Sequence, residues 1–144
     1  MKIIDCFSYF DEDRILELRL NVLNNYVDQF VIVEAKEDHQ GNKKKLNFNI
    51  NKFKKFSKKI NYIIQDKIKI DQSLVLPKGW SKDHLRDQSQ RNYIMNGIKE
   101  FDDEDWIIIS DIDEIPNPKN FSIFNPKKNL LFFNRSYFII NLIY

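Results

Sequence analysis

The sequence predicts an α/β fold with a mostly parallel sheet flanked by helices, on three observations. Short runs rich in Ile, Val and Phe recur at residues 2–7, 30–33, 60–64 and 106–109. Stretches with helical spacing separate them. A chain of 144 residues, 42% of them hydrophobic, has room for one domain with a core of its own. Taken in order, residues 2–7 suit a buried first strand. Asp11 stands as the cap of a helix with Glu12 and Asp13 in its first turn, where the helix dipole favours acids. Ile15, Leu18 and Val22, joined by Leu16, Leu20 and Leu23, make residues 12–25 an amphipathic helix. Residues 30–33 form a second strand, after which Glu34 and Ala35 open a polar loop whose turn Gly41 supplies. Residues 48–59 are weakly helical and 60–64 form a third strand, so the β-α-β-α-β order calls for parallel pairing. Pro77 and Gly79 mark a break, and Ser81 caps a longer helix reaching about Glu100. Residues 106–109 form the fourth and most buried strand. Pro116, Pro118 and Pro126 keep the next segment irregular; 129–133 and 137–143 are further strands, with 134–136 as their turn.

Composition narrows the function classes. Twenty-three basic against 21 acidic residues leave a net charge of +2, too small to argue for nucleic acid. No apolar run of about 18 residues exists, so no transmembrane segment is expected, and the first residues lead directly into a strand rather than a secretory signal. The one cysteine, Cys6, excludes an internal disulfide framework and reads as a small buried strand residue. A cytoplasmic location follows as the expectation. Ten lysines between Lys43 and Lys69 face one acid, Asp66, which reads either as a solvated face or as contact with an anionic partner. Between Glu100 and Glu114 the balance reverses, with eight acids and no base.

That acidic block carries the chemistry. The fourth strand delivers Asp111, Ile112, Asp113 and Glu114 at its carboxyl end, where ligands bind in open α/β sheets. With one apolar residue between them, Asp111 and Asp113 can converge on a hard divalent cation, Mg²⁺ or Mn²⁺, that binds a diphosphate. The plainer reading makes them solvated caps of a turn. At about 100° per residue, Arg91 shares a stripe with Ile94, Met95, Ile98 and Phe101. An arginine on a core-facing stripe needs an anion: a substrate phosphate, clamped bidentately, or Asp111 as a structural partner. Asn92 could reach a nucleotide or cap a loop. Glu34, at the same edge, is either a ribose or base acceptor or a solvated acid. His84 and Arg86 could assist with phosphate, though a surface place suits them better, and His39 has no assigned role.

The opening Ile3-Ile4-Asp5-Cys6-Phe7, the strand Phe30-Val31-Ile32-Val33-Glu34-Ala35, the step Gln90-Arg91-Asn92 and above all Ser110-Asp111-Ile112-Asp113-Glu114-Ile115-Pro116 resemble glycosyltransferase family 17. That resemblance runs in order along essentially the whole chain. It implies a GT-A-like (Rossmann-like) fold and a metal-assisted, inverting transfer from a nucleotide-sugar donor such as UDP-N-acetylglucosamine to a glycan or polysaccharide acceptor. By the same resemblance Asp113 is the direct metal ligand and Asp111 sits on metal or ribose. Arg91 and Asn92 match a donor-proximal pair, and Glu34 an acid at the nucleotide end. Inverting transfer needs a general base, for which Glu114 is the nearest candidate. Members of the family usually continue past the length seen here, so the expectation is a domain of residues 1–144 lacking its C-terminal part. The alternative function is then a catalytically inactive nucleotide-sugar-binding module. An aspartate-nucleophile phosphatase also places D-x-D after a strand, but normally after the first one. The apolar ending, residues 137–144, suggests association between copies through the last strands.

Overall fold

The computed structural model describes residues 1–38, 40–68, 70, 78–79, 81–98, 100, 102, 105–123, 130–133 and 137–140, the last two segments by backbone alone. β1 (Ile3–Ser8), β2 (Gln29–Ala35), β3 (Ile60–Gln65) and β4 (Trp106–Ile109) pair in parallel, and β5 (Leu130–Phe133) and β6 (Tyr137–Ile140) add an antiparallel hairpin beside β4. The sheet order is β3-β2-β1-β4-β6-β5. Parallel neighbours must be joined by crossovers that cover the faces, which is why β1, β2 and β4 are largely buried and, apart from acids such as Asp5 and Glu34, mostly apolar on both sides. The expected turn 134–136 and strand ends 129 and 141–143 lie outside the described residues, as do Pro77, Phe101, Pro126 and His39.

Alternation along the strands sorts the core into two layers. Phe7, Phe30 and Ile32 meet α1 (Asp13–Leu23) and the 3-10 segment Ile50–Phe56 on one face. Ile4, Cys6, Val31, Val33 and Ile107 meet Ile94 and Ile98 on the other. Burial pushes the Cys6 thiol up, so it stays a neutral, inert packing group. β2, not β4, is the most thoroughly buried strand: residues 30–35 are all buried, whereas Ile109 at the end of β4 is partly exposed. Glu34 and Ala35 belong to that strand rather than to a loop, because β3 pairs with β2 as far as Ala35.

Three local expectations are corrected. Residue 12 rather than Asp11 precedes α1, and the Glu12 carboxylate folds back to accept from the Phe10 and Asp11 amides. The buried stripe of α1 is Leu16, Arg19, Leu20 and Leu23, while Leu18 is 52% exposed. α2 (Lys82–Tyr93) starts at the expected Ser81, whose side chain and the His84 ring form a reciprocal cap, but it ends seven residues before Glu100. There the chain tightens into a 3-10 turn, Ile94–Gly97, that lies flat on the sheet. Gly97 makes this possible: a Cβ there would fall inside contact distance of Val31 Cγ1. This turn covers the second face together with α2, and Arg91 sits on the rim with a third of its side chain exposed, the buried helix residue being Gln90.

The lysine-rich stretch is partly structural. Lys59 Nζ donates to the carbonyls of Asn24 and Val27 beyond the end of α1, a helix with no base in its last turn. Lys52 pairs with Asp13, and Lys44 with Glu34.

Candidate active site

β1 lies between β2 and β4, and the chain leaves it in opposite directions across the sheet. This is the reversal point where doubly wound sheets open a crevice at the carboxyl ends of their strands. A cleft of about 490 Å³ occupies that place. Ser8 and Tyr9 leave β1 into it, Glu12 stands at the start of α1, and Asp87 and Gln90 face it from α2. Asp111 and Asp113, from the segment after β4, complete the lining. A second cavity of about 480 Å³, bordered by Lys2, Asp28 and Asn61, lies at the amino-terminal edge away from these acids. The carboxyl-edge cleft is the site because, among the described residues, it is where strand ends, the start of α1, one side of α2 and the acidic segment converge.

The segment after β4 is a tight turn. The Glu114 amide donates to Asp111 O at 3.0 Å and the Ile115 amide to Asp113 O at 3.1 Å. Ile112 is buried in the core with Phe7 and Leu20, which turns its neighbours Asp111 and Asp113 outward. Arg91 Nη2 meets Asp111 Oδ1 at 2.7 Å, and Asp87 lies 3.6 Å from the same nitrogen. Glu114 bends back so that its Oε2 accepts from the Asp111 amide at 3.3 Å. The structure therefore brings Arg91, Asp111 and Asp113 together, with Glu114 just behind. Asn92 is exposed beside Arg91, and neither belongs to the cleft lining itself; Arg91 reaches the site through its bond to Asp111.

Glu34 is at the same edge but is not solvated. It is fully buried under residues 44–48. Its Oε1 accepts from Lys44 Nζ at 2.5 Å and the Asn47 amide at 2.8 Å; its Oε2 accepts from the Tyr62 hydroxyl at 2.8 Å and the Phe48 amide at 3.1 Å. Four donors fill the carboxylate's main directions. Burial and the Glu34 charge hold the Tyr62 phenol well above its ordinary value. His84 is committed to the start of α2. Arg86 lies against Gly41, whose φ of +88° places the loop after β2 in the left-handed region.

Sequence reading missed Arg19 and Asp5, both fully buried beneath the turn. Arg19 Nε and Nη2 take the two Asp5 oxygens at 2.8 and 2.7 Å, and its guanidinium carbon stands 4.5 Å from the Phe7 ring centroid. Nη2 also donates to Ser110 Oγ at 2.7 Å, and Nη1 to the carbonyls of Asp111, Ile112 and Glu114 at 2.6, 3.1 and 3.3 Å. The signal was present: a charge on the apolar stripe of the first helix and an acid inside the first strand.

A family model described as glycosyltransferase family 17 matches residues 1–129, nine-tenths of the chain, and so spans β1 to β4, the cleft and its acids. The chain belongs to glycosyltransferase family 17. The matched span includes Asp111, Ile112 and Asp113 of the cleft lining, and membership of the family makes the general activity that of a glycosyltransferase. No curated protein and no solved structure matches the chain. No helix among the described residues is long and apolar enough to cross a membrane.

Proposed function

We propose that this chain transfers N-acetylglucosamine from UDP-N-acetylglucosamine to a hydroxyl of a glycan or polysaccharide, with inversion and with the help of Mn²⁺ or Mg²⁺. The observation that carries the reading is the placement of Asp111 and Asp113, turned outward by the burial of Ile112, on a cleft at the reversal point of the sheet. Among the described residues no three His, Cys, Asp or Glu side chains converge as a metal cage. Two outward carboxylates suit a cation that is shared with substrate phosphates, since Mg²⁺-like ions are commonly held by one or two carboxylates plus phosphate oxygens. Asp113, exposed, and Asp111, held by Arg91, are the residues that would hold it. Such an ion neutralises charge growing on the departing diphosphate.

The chain's own groups set the remaining conditions. Arg91, on the rim, offers its remaining guanidinium donors to a phosphate while Asp111 fixes its orientation. Asp87 and Glu12 face the cleft as carboxylates able to take a sugar hydroxyl hydrogen bond. Glu114, the base candidate, reaches the reacting hydroxyl only by releasing the Asp111 amide. Among the described strands β5 is one of the two outer ones, β3 being the other, and the edge at β5 is where two copies would associate, to be checked by sedimentation across concentration.

The test is calorimetric titration of UDP and UDP-N-acetylglucosamine with Mn²⁺ and with chelator, in the natural chain and in Asp113→Asn. Binding that requires both the ion and Asp113, together with UDP release in a turnover assay, is the expected result. Binding without turnover would establish an inactive nucleotide-sugar-binding module instead. Folded protein that binds neither ligand would sink the proposal.

A further inference from the structure

We propose that Arg19 is the positioning residue of the acidic turn: from inside the core it holds the backbone of residues 110–114 so that the Asp111 and Asp113 carboxylates present themselves to the cleft. Three carbonyls within four residues, those of Asp111, Ile112 and Glu114, point at one guanidinium nitrogen. Turns ordinarily send such carbonyls to water or to each other's amides. Here they face inward toward a buried cation, and the side chains between them are left facing out. Ser110 Oγ extends the arrangement, accepting from Arg19 Nη2 and donating to Glu114 O at 3.2 Å.

The orientation of Arg19 is itself fixed. Asp5 grips it bidentately and the Phe7 ring lies against it, so the fork has one direction in which to spend its other donors, and that direction is the turn.

Stability alone does not account for the pair. A buried ion pair is often no more stabilising than well-packed apolar residues of the same volume. Arg19 shares the buried stripe of α1 with Leu16, Leu20 and Leu23, and Phe7 lies against it, so the setting is largely apolar. What an apolar side chain could not supply is a set of directed donors for the turn. The pair also ties β1 and α1 to the turn, joining three of the four parts of the chain that line the cleft.

The binding arm of the test rests on the donor reading above; a second arm does not. Two variants are used. Arg19→Lys keeps a charge opposite Asp5 but has three donors on one atom, too few and wrongly shaped for the carboxylate and four loop acceptors. Asp5→Leu/Arg19→Met removes both charges together, so no buried ion is orphaned. Titration of Mn²⁺-UDP is expected to give a Kd at least tenfold weaker in both with stoichiometry near that of the natural chain. Simple loss of folded molecules would instead lower stoichiometry and leave Kd unchanged. Amide hydrogen exchange at Glu114 and Ile115 is expected to quicken at least tenfold while β1 and β2 remain protected. Natural Kd and natural exchange in either folded variant would overturn the proposal. So would unfolding of both variants, which would make the pair a requirement of the sheet rather than of the turn. If the natural chain binds no UDP, the donor reading fails by itself, and the exchange of Glu114 and Ile115 alone decides whether Arg19 holds the turn.

Discussion

Replacing Glu34 by Gln changes one buried oxygen to an amide nitrogen, and the consequence can be worked from its four donors. With the amide oxygen kept toward Lys44 and Asn47, the new NH₂ faces the Phe48 amide and the Tyr62 hydroxyl. Tyr62 can rotate its hydroxyl and accept, but the Phe48 N–H cannot, and a buried donor left without a partner costs about 1–3 kcal/mol. Lys44, whose side chain is only 12% exposed, exchanges a charged acceptor for a neutral one, a loss of about 1 kcal/mol. The sum is about 3 kcal/mol. At a urea dependence of about 2 kcal/mol per M, the unfolding midpoint falls by roughly 1.5 M. Urea titration followed by tryptophan fluorescence measures the shift, and amide exchange should show protection lost first at Asn47 and Phe48. Mn²⁺-UDP affinity of the folded variant should stay at the natural value, because the carboxylate is spent on residues 44–48 and Tyr62. A midpoint within about 0.5 M of natural with lost UDP affinity would refute this reasoning and return Glu34 to the nucleotide.

Gly97→Ala forces a methyl against Val31 Cγ1 with Ile63 Cδ1 at 3.2 Å, and should destabilise by about 1–3 kcal/mol, several degrees in a thermal melt; an unchanged melt would mean that the Ile94–Gly97 turn does not press on the sheet. Arg91→Met should cost no more than about 1 kcal/mol, since both partners are partly exposed, yet weaken Mn²⁺-UDP about tenfold; unchanged affinity would limit Arg91 to pairing with Asp111. Tyr9 and Tyr62 are held above their ordinary value by burial first and then by their bonds to Asp13 and Glu34. Because the folded value is the higher one, their contribution is complete below about pH 10, where the free phenol titrates, and fades as pH rises past it. Phenolate absorbance should therefore show these two of the six tyrosines ionising only as the chain unfolds, and Tyr62→Phe should flatten the fall of the urea midpoint between pH 9 and 11; a fall as steep as in the natural chain would argue against the assignment.

The parts of this molecule readable in advance are those governed by local pattern. Runs such as residues 30–33 and 106–109 announce buried strands, and Ser81 announces a helix start, because neighbouring residues carry the information. The end of α2 was not readable, since it is set by where Gly97 lands on Val31, sixty-six positions earlier. The burial of Glu34 was not readable for the same reason: the donors that cover it come from residues 44–48 and 62. Arg19 was legible in part. The rule applied to Arg91, that a charge on an apolar stripe needs an anion, fits Arg19 better, since it lies between Leu16, Leu20 and Leu23. The buried anion was within reach too, in Asp5.

The bonds from Arg19 to the turn span 91 to 95 positions of chain. During synthesis β1, α1, β2 and β3 have all been made by residue 65, and their mutual contacts need nothing that comes later in the chain. The acids do not exist until some fifty residues later. A nascent or prematurely ended chain can thus acquire the β1–β3 part of the sheet while lacking the acids proposed to hold a donor, so on that proposal the appearance of donor binding reports completion of β4 and its turn rather than formation of the first layer.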